Sequence, residues 1–269
     1  METPAARIGL RLATGLTLAF LYIPLGVIAL YAFNEKRVQT WPISGLTLDW
    51  WDKAFRNPGV RDAVLRSVEA ALGATAIAIV LGTLAALAVQ RYRFFGRETV
   101  SFLVILPIAL PGIVTGMALN ATFRTVLDPF GVPFGIFTII VGHATFCIVV
   151  MYNNALARLR RSSRFIEEAS MDLGADTWQT FRYITLPLTR TALLAGALLS
   201  FALSFDEVIV TTFTAGPVQT VPLWILQNLS RPNQLPIVNV VAVSLVLLSA
   251  IPVYIASRLA QESGILRRR

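Results

Sequence analysis

Two adjacent acids, Asp206 and Glu207, lie in a segment that is otherwise almost free of charge. A carboxylate within an apolar membrane helix costs free energy, and such groups usually face a cavity or a partner. Because a carboxylate attracts cations and replaces part of their lost hydration, we expect this pair, with Ser204 close before it, to line a path for positively charged solutes. A structural cap, an ion pair near the membrane surface and a contact with another subunit are alternative roles for the two acids.

A second possible chemistry involves His143, the single histidine, and Cys147, the single cysteine. The two residues are four positions apart and so share one face of a helix. A metal site needs more ligands than this pair supplies, and no base accompanies Ser200 or Ser204 in the sequence. The pattern therefore favours a packed, hydrogen-bonded histidine over a metal site or a catalytic centre.

The polar stretch RFIEEASMDLGADTWQTFRYITLPL, residues 164–188, predicts two short helices joined by a glycine turn. Glu167 and Glu168 fall in the opening turn of the first helix, where acids complement the helix dipole. Gly174 stands where a left-handed residue ends a helix. Asp176 and a glutamine three positions later have the spacing of a capping pair at the start of the second helix.

This helix–glycine–helix segment contains residue types that suit a protein contact. A solvated connector is the alternative, but a connector needs neither aromatic side chains nor regular caps. We therefore expect the segment to fit a groove on a partner, through Glu167, Glu168, Ala169, Leu173, Gly174, Trp178 and Phe181.

The elements that position these residues are long apolar segments. The chain is 55% hydrophobic and 14% charged, which is not the balance of a soluble domain, and its charge-free runs are long enough to cross about 30 Å of hydrocarbon. Since a helix satisfies its own backbone in lipid, we predict an all-α membrane protein, one domain over 1–269. The predicted spans are 10–33, 63–90, 99–120, 135–157, 189–213 and 237–258.

The third of these spans contains the segment LPIALPGIVTGM. Its prolines, Pro107 and Pro111, predict an interrupted helical ladder, which membrane helices tolerate where neighbours satisfy the backbone. Gly112 and Gly116 are four positions apart and predict close packing against another helix.

The basic residues indicate how the chain is oriented. With the N-terminus in the cytosol, fifteen of the 23 lysines and arginines, including those at 267–269, fall on the cytosolic side, and eight fall outside. An excess of lysine and arginine in short loops marks the cytosolic face, so both termini and the loop at 158–188 are predicted to be cytosolic. The net charge of +8 then orients the chain in a bilayer, and we expect no nucleic-acid partner.

The segment EEASMDLGADTWQTFRYITLPL resembles the E-A-A…G…I-x-L-P signature of permease subunits in ATP-binding-cassette (ABC) importers. Glu168, Ala169 and Gly174 match its beginning, and Ile184 and Pro187 match its end. The resemblance implies a type I importer permease fold in a bacterial inner membrane, with the loop at 158–188 as a coupling element between helices 4 and 5. It also implies partners: two ATPase subunits, a second, homologous permease and an extracytoplasmic substrate-binding protein.

The same chain has no phosphate-binding loop of the form G-x-x-x-x-G-K-[ST]. Its two lysines, Lys36 and Lys53, both lie in a predicted outer loop. We therefore expect no enzymatic activity and no cofactor in this chain, with ATP and Mg²⁺ bound by the partner ATPase subunits.

A narrower likeness concerns the substrate. The segments LSFALSFDEVIVTTFTAGPVQTVPLWI and RPNQLPIVN resemble the corresponding parts of spermidine/putrescine importer permeases. This resemblance implies a polyamine, a linear polycation, as the solute. Import of a metal ion, an anion or an amino-acid-like solute is the alternative, and a secondary transporter, which usually shows inverted repeats, is a more distant one.

Overall fold

The structure is a computed structural model that describes residues 4–265, with side chains described for 6–259. The arginines at 267–269, which the charge analysis assigns to the cytosolic side, lie outside the described residues. Within the described part the chain is helical, and the strand-like pairing seen there is one isolated bridge between Asn34 and Leu46. The helices are α1 (Pro4–Tyr31), α2 (Asp49–Arg56), α3 (Pro58–Arg91), α4 (Arg97–Ala109), α5 (Gly112–Val126), α6 (Ile136–Arg161), α7 (Arg164–Asp172), α8 (Thr177–Thr180), α9 (Leu186–Phe205), α10 (Ile209–Thr214), α11 (Val221–Asn228) and α12 (Leu235–Ile265).

Five helical segments in the described part are long and apolar enough to cross a membrane. They are α1, α3, α6, α12 and the segment Thr177–Phe205, which ends with α9. The pair α4 and α5 makes a sixth if the two helices form one bent span. The predicted all-α membrane fold is thus confirmed.

The third predicted span, 99–120, is not one straight helix. The helical axis bends by 107° between α4 and α5. Leu110 has φ −84° and ψ 144°, an extended conformation, because the ring of Pro111 disfavours a helical residue directly before it. Pro107 lies inside α4, where its missing N–H removes one ladder hydrogen bond without ending the helix, so the break in the span occurs at Pro111.

The fifth predicted span, 189–213, is also interrupted. Helix α9 ends at Phe205, and α10 begins at Ile209. Asp206 has φ −101° and ψ 2° and ends α9. One carboxylate oxygen of Glu207 accepts the backbone N–H of Val210 at 2.9 Å, which satisfies a donor at the start of α10.

The chain divides into two compact units, of which the first comprises residues 1–61 and 224–247. In this unit the indole N–H of Trp50 donates to the backbone carbonyl of Asn34 at 2.9 Å. The Lys53 ammonium lies 4.4 Å from the centre of the Trp50 ring, a cation–π contact. The hydrogen bond holds α2 against the segment that follows α1, and the cation–π contact lies within α2. The prediction of one domain over 1–269 stays a prediction.

The second unit comprises residues 62–223 and 248–269, and α6 supplies much of its core. Cys147, Met151 and Tyr152 of α6 are fully buried. Small residues let the neighbouring helices approach: a Cβ added at Gly82 of α3 would lie 2.9 Å from the Ile148 carbonyl oxygen. Packing through small residues is the usual means of helix association in membranes.

Candidate functional site

The 158–188 loop has the local structure that its sequence predicts. Gly174 has φ +92°, a left-handed conformation that glycine adopts without steric cost, and its N–H donates to the Met171 carbonyl at 2.9 Å. The Asp176 carboxylate accepts the Gln179 N–H at 2.8 Å, and the Gln179 side chain accepts the Asp176 N–H at 2.9 Å. Both the glycine turn and the capping pair are therefore confirmed.

The second helix of the loop is continuous with the next membrane helix. Helix α8 passes through a π-helical turn, Phe181–Thr185, into α9, with Pro187 in the first turn of α9. The hydroxyls of Ser170 on α7 and Thr180 on α8 lie 2.8 Å apart. Covalent continuity and this hydrogen bond make the loop an extension of α9.

Most of the side chains predicted to dock on a partner are exposed. Leu173 is 90% exposed, and Trp178 and Ala169 are also exposed, whereas Glu168 is half-buried. Phe181 is half-buried, with its ring centre 5.7 Å from that of Trp178. Exposed large apolar side chains on a small loop are typical of an interaction surface. Sequence reasoning missed two further exposed aromatic residues of the loop, Phe165 and Tyr183.

Glu167 differs from the other predicted docking residues, because its carboxylate faces the interior. One oxygen of this carboxylate lies 2.7 Å from a guanidinium nitrogen of Arg91, the last residue of α3. The same oxygen accepts the Thr185 hydroxyl at 2.9 Å. Sequence reasoning treated Arg91 as one cytosolic charge among many, since no local pattern joins residues 76 positions apart.

The acid pair lies at the break between α9 and α10. Asp206 is exposed and Glu207 is half-buried, so both are accessible at a point where the backbone is not helical. Ser204 is placed differently from the acids. It is 3% exposed, and its hydroxyl is hydrogen-bonded to His143.

His143 links α6 to both sides of this break. Its Nδ1 lies 2.8 Å from the Ser204 hydroxyl, and its Nε2 lies 2.8 Å from the Thr211 hydroxyl. The expectation of a packed, hydrogen-bonded histidine is confirmed. No base accompanies Ser204 in the sequence, and folding brings His143 to it from 61 positions away.

The contact between His143 and Ser204 is a packing contact between α6 and α9. Both residues are buried, so a substrate has no access to the hydroxyl. The second ring nitrogen faces the hydroxyl of Thr211, whereas a base that activates a nucleophile is usually oriented by a third group such as a carboxylate. Among the residues that the structure describes, no group of three metal-ligating side chains could hold an ion.

The two helix breaks are neighbours in space. A Cβ added at Gly112, directly after the break at Pro111, would lie 3.3 Å from the Ile209 side chain at the start of α10. The Asn120 amide of α5 donates to the Phe213 carbonyl of α10 at 2.6 Å. Transporters commonly build solute sites from discontinuous helices, whose free backbone groups line the path. The break that contains the acid pair therefore adjoins the break at Pro111.

Comparison with known proteins agrees with this architecture. Residues 78–262 match the family described as binding-protein-dependent transport system inner membrane component. The putrescine transport system permease protein PotI of Escherichia coli K12 is 34% identical over 83% of this chain and 80% of its own length. The spermidine/putrescine permease protein PotC of Haemophilus influenzae is 32% identical over 91% of this chain and 94% of its own.

Two solved structures share the fold. One is a bacterial ABC transporter involved in the import of the acidic polysaccharide alginate, with a TM-score of 0.67 at 17% identity over 97% of this chain and 98% of that chain. The other is the MetNI methionine ABC transporter in an inward-facing conformation, with a TM-score of 0.58 at 18% identity over 77% of this chain and 99% of that chain. The chain belongs to the binding-protein-dependent transport system inner membrane component family, and is a multi-pass permease with the type I ABC importer fold.

Proposed function

We propose that this permease forms half of the translocation pathway of an ATP-driven importer for polyamines such as putrescine and spermidine. The observation that carries the proposal is the accessible acid pair, Asp206 and Glu207, at a helix break that adjoins a second break at Pro111. Relatives that cover most of the chain are named as putrescine and spermidine/putrescine permeases, which supports the same substrate class.

The charge and placement of the acids suit a weakly held organic cation. An ammonium about 4 Å from one carboxylate gains about 4 kcal/mol at an effective dielectric constant of about 20. That gain offsets part of the dehydration cost of the ammonium, yet it is small enough for the solute to leave again. Because a polyamine carries several ammonium groups, it can contact both acids in turn.

The movement that drives transport comes from partners. A substrate-binding protein delivers the solute to the outer face, and a second, homologous permease completes the pathway. Two ATPase subunits bind ATP and Mg²⁺, and each of them docks on the 158–188 loop of one permease. The exposed Leu173 and Trp178 and the half-buried Phe181 supply apolar contact area for that docking, and the left-handed Gly174 sets the angle between α7 and α8.

The proposed orientation places both termini and the loop in the cytosol. Arg91 ends α3, and Arg158 and Arg164 lie within the loop, which agrees with the excess of basic residues expected on a cytosolic face. Alternating access then moves rigid helices around the acid pair.

The importer is tested by purification and reconstitution. The tagged chain is isolated from its native membrane, and the recovered complex is placed in liposomes with its binding protein. We expect an ATPase and a second permease to co-purify, and ATP-dependent uptake of labelled putrescine or spermidine. Uptake of Mg²⁺, phosphate or glutamate in place of both polyamines would overturn the substrate, and transport by this chain without an ATPase would overturn the importer.

A further inference from the structure

The end of α3 is joined to the loop by a largely buried ion pair. The guanidinium of Arg91 and the carboxylate of Glu167 lie 2.7 Å apart, and each side chain is 12% exposed. The Thr185 hydroxyl donates to the same carboxylate oxygen from the π-helical turn. Three segments therefore meet at one oxygen atom: the end of α3, the first turn of α7 and the entry to α9.

This contact bridges a cleft. A cavity of about 900 Å³ separates the end of α3 from the loop, and Arg91, Glu167 and Thr185 are part of its lining. The remaining walls are mostly apolar, with Leu84 and Leu87 on α3 and Met171, Trp178 and Phe181 on the loop. Because open space lies between these walls, the ion pair supplies a polar connection across the cleft, and the Thr185 hydroxyl holds the Glu167 carboxylate on the loop side.

A second ion pair on α7 has none of these properties. Arg164 and Glu168 lie one turn apart on the same helix at 3.0 Å, and their side chains are 62% and 46% exposed. An exposed pair of this kind contributes little, because water and salt screen it. By contrast, removal of one partner from a buried pair leaves an uncompensated charge in a poorly solvated place.

We propose that Arg91 is a positioning residue for transport: with Glu167 and Thr185 it forms a latch that transmits movement of the loop to α3. The inference rests on the proposed function, in which an ATPase subunit pushes on the loop. The covalent backbone transmits such a movement of the loop to α6 and α9, which flank the loop in sequence. Helix α3 is remote in sequence and packs on α6 at Gly82, so the latch adds a direct connection from the end of α3 to the loop itself.

The latch also assigns a role to Glu167 that differs from direct docking. Its carboxylate is occupied by Arg91 and Thr185, so it acts on the orientation of α7 and does not face a partner. The exposed or half-buried loop residues, such as Leu173 and Trp178, remain the ones that contact the ATPase.

The test is the number of polyamine molecules transported per ATP hydrolysed by the reconstituted complex. For Arg91→Gln we expect a fall of about fivefold or more, the lower end of common coupling strengths, with ATPase subunits still bound. Arg91→Lys, which keeps the charge, retains most of the wild-type ratio. The exchanged pair, Arg91→Glu with Glu167→Arg, recovers more of the ratio than either single variant.

Two further variants complete the design. Thr185→Val keeps the shape of the side chain but removes its hydrogen bond, and we expect an intermediate ratio even if Arg91→Gln fails to assemble. Arg93→Gln, at an exposed position two residues away, serves as the matched control and leaves the ratio unchanged.

A wild-type ratio in Arg91→Gln, or in Thr185→Val when Arg91→Gln does not assemble, would overturn the latch while the importer stands. A charge exchange that recovers nothing, together with loss of ATPase binding in Glu167→Gln, would show that Glu167 docks directly, and it would also overturn the latch. Failure of the wild-type complex to bind an ATPase or to move a polyamine is a different result, which refutes the proposed function.

Discussion

His143 and Ser204 are hydrogen-bonded in the core of the second unit, with 2.8 Å between Nδ1 and Oγ. The other ring nitrogen of the same histidine contacts Thr211, which is beyond the break in the span. One side chain of α6 thus holds both halves of an interrupted helix, and the acid pair lies between the two contacts along the chain.

The first prediction concerns this bridge. His143→Ala removes the histidine partner of two buried hydroxyls, of which Thr211 keeps its hydrogen bond to the Glu207 carbonyl and Ser204 loses its contact with the ring. We expect this change to lower the free energy of unfolding by about 1–3 kcal/mol. His143→Gln, which can still reach one hydroxyl, costs less. The midpoint of thermal unfolding of the purified complex measures both changes, and equal midpoints for wild type and His143→Ala would contradict the bridge.

The second prediction concerns the contact between α5 and α10. A Cβ added at Gly116 would lie 2.5 Å from Cδ2 of Phe213, so Gly116→Ala forces the two helices apart and costs about 1–3 kcal/mol. Adding Phe213→Ala relieves the clash and makes the effect of Gly116→Ala smaller. Gly15→Ala is the control, because nothing lies within 4 Å of its added Cβ. A similar loss of thermal stability in both glycine variants would refute the close packing.

The third prediction separates the conformation of Gly174 from its surroundings. Nothing lies within 4 Å of a Cβ added at this position, and φ is +92°, so a larger side chain acts through the backbone alone. We expect Gly174→Val to strain the turn by about 1–2 kcal/mol and to weaken binding of the ATPase. Gly174→Asn is tolerated, because asparagine visits the left-handed region.

The matched control for that turn is Gly96, which has φ +83° and equally open space around it. Gly96→Val introduces similar strain outside the 158–188 loop. Co-purification of the ATPase with each variant is the measurement. If Gly96→Val lowers the yield of ATPase as much as Gly174→Val does, the effect reflects general instability and not docking.

The fourth prediction concerns the charge of the path. Asp206→Asn keeps the size of the side chain but removes the negative charge, and we expect ATP-dependent polyamine uptake to fall about tenfold, equivalent to about 1.4 kcal/mol. Asp128→Asn, at another exposed acid, is the control and retains uptake. Unchanged uptake and unchanged ATP hydrolysis in Asp206→Asn would exclude Asp206 from the path.

Glu207 tests charge against structure at the neighbouring position. Its carboxylate accepts the Val210 N–H, and a glutamine can accept the same hydrogen bond through its carbonyl oxygen. We therefore expect Glu207→Gln to keep the thermal stability of the complex and to lower polyamine uptake. Reduced stability with normal uptake would assign Glu207 a purely structural role.

The sequence alone determined the features that depend on near neighbours and on composition. The membrane class follows from the length of the apolar runs, because the thickness of the hydrocarbon sets the length of a span. The turn at Gly174 and the cap between Asp176 and Gln179 follow from interactions within three residues, so they do not depend on contacts with distant parts of the chain.

The tertiary structure decided the breaks and the long-range pairs. No proline or glycine marks the break at Asp206, and Pro107 and Pro111 are alike in sequence although α4 continues through the first and ends before the second. The partners of Arg91 and His143 are 61 to 76 positions away. Such contacts depend on which helix faces pack together, and that choice is made by the whole bundle, since many faces of an apolar chain are equally able to pack.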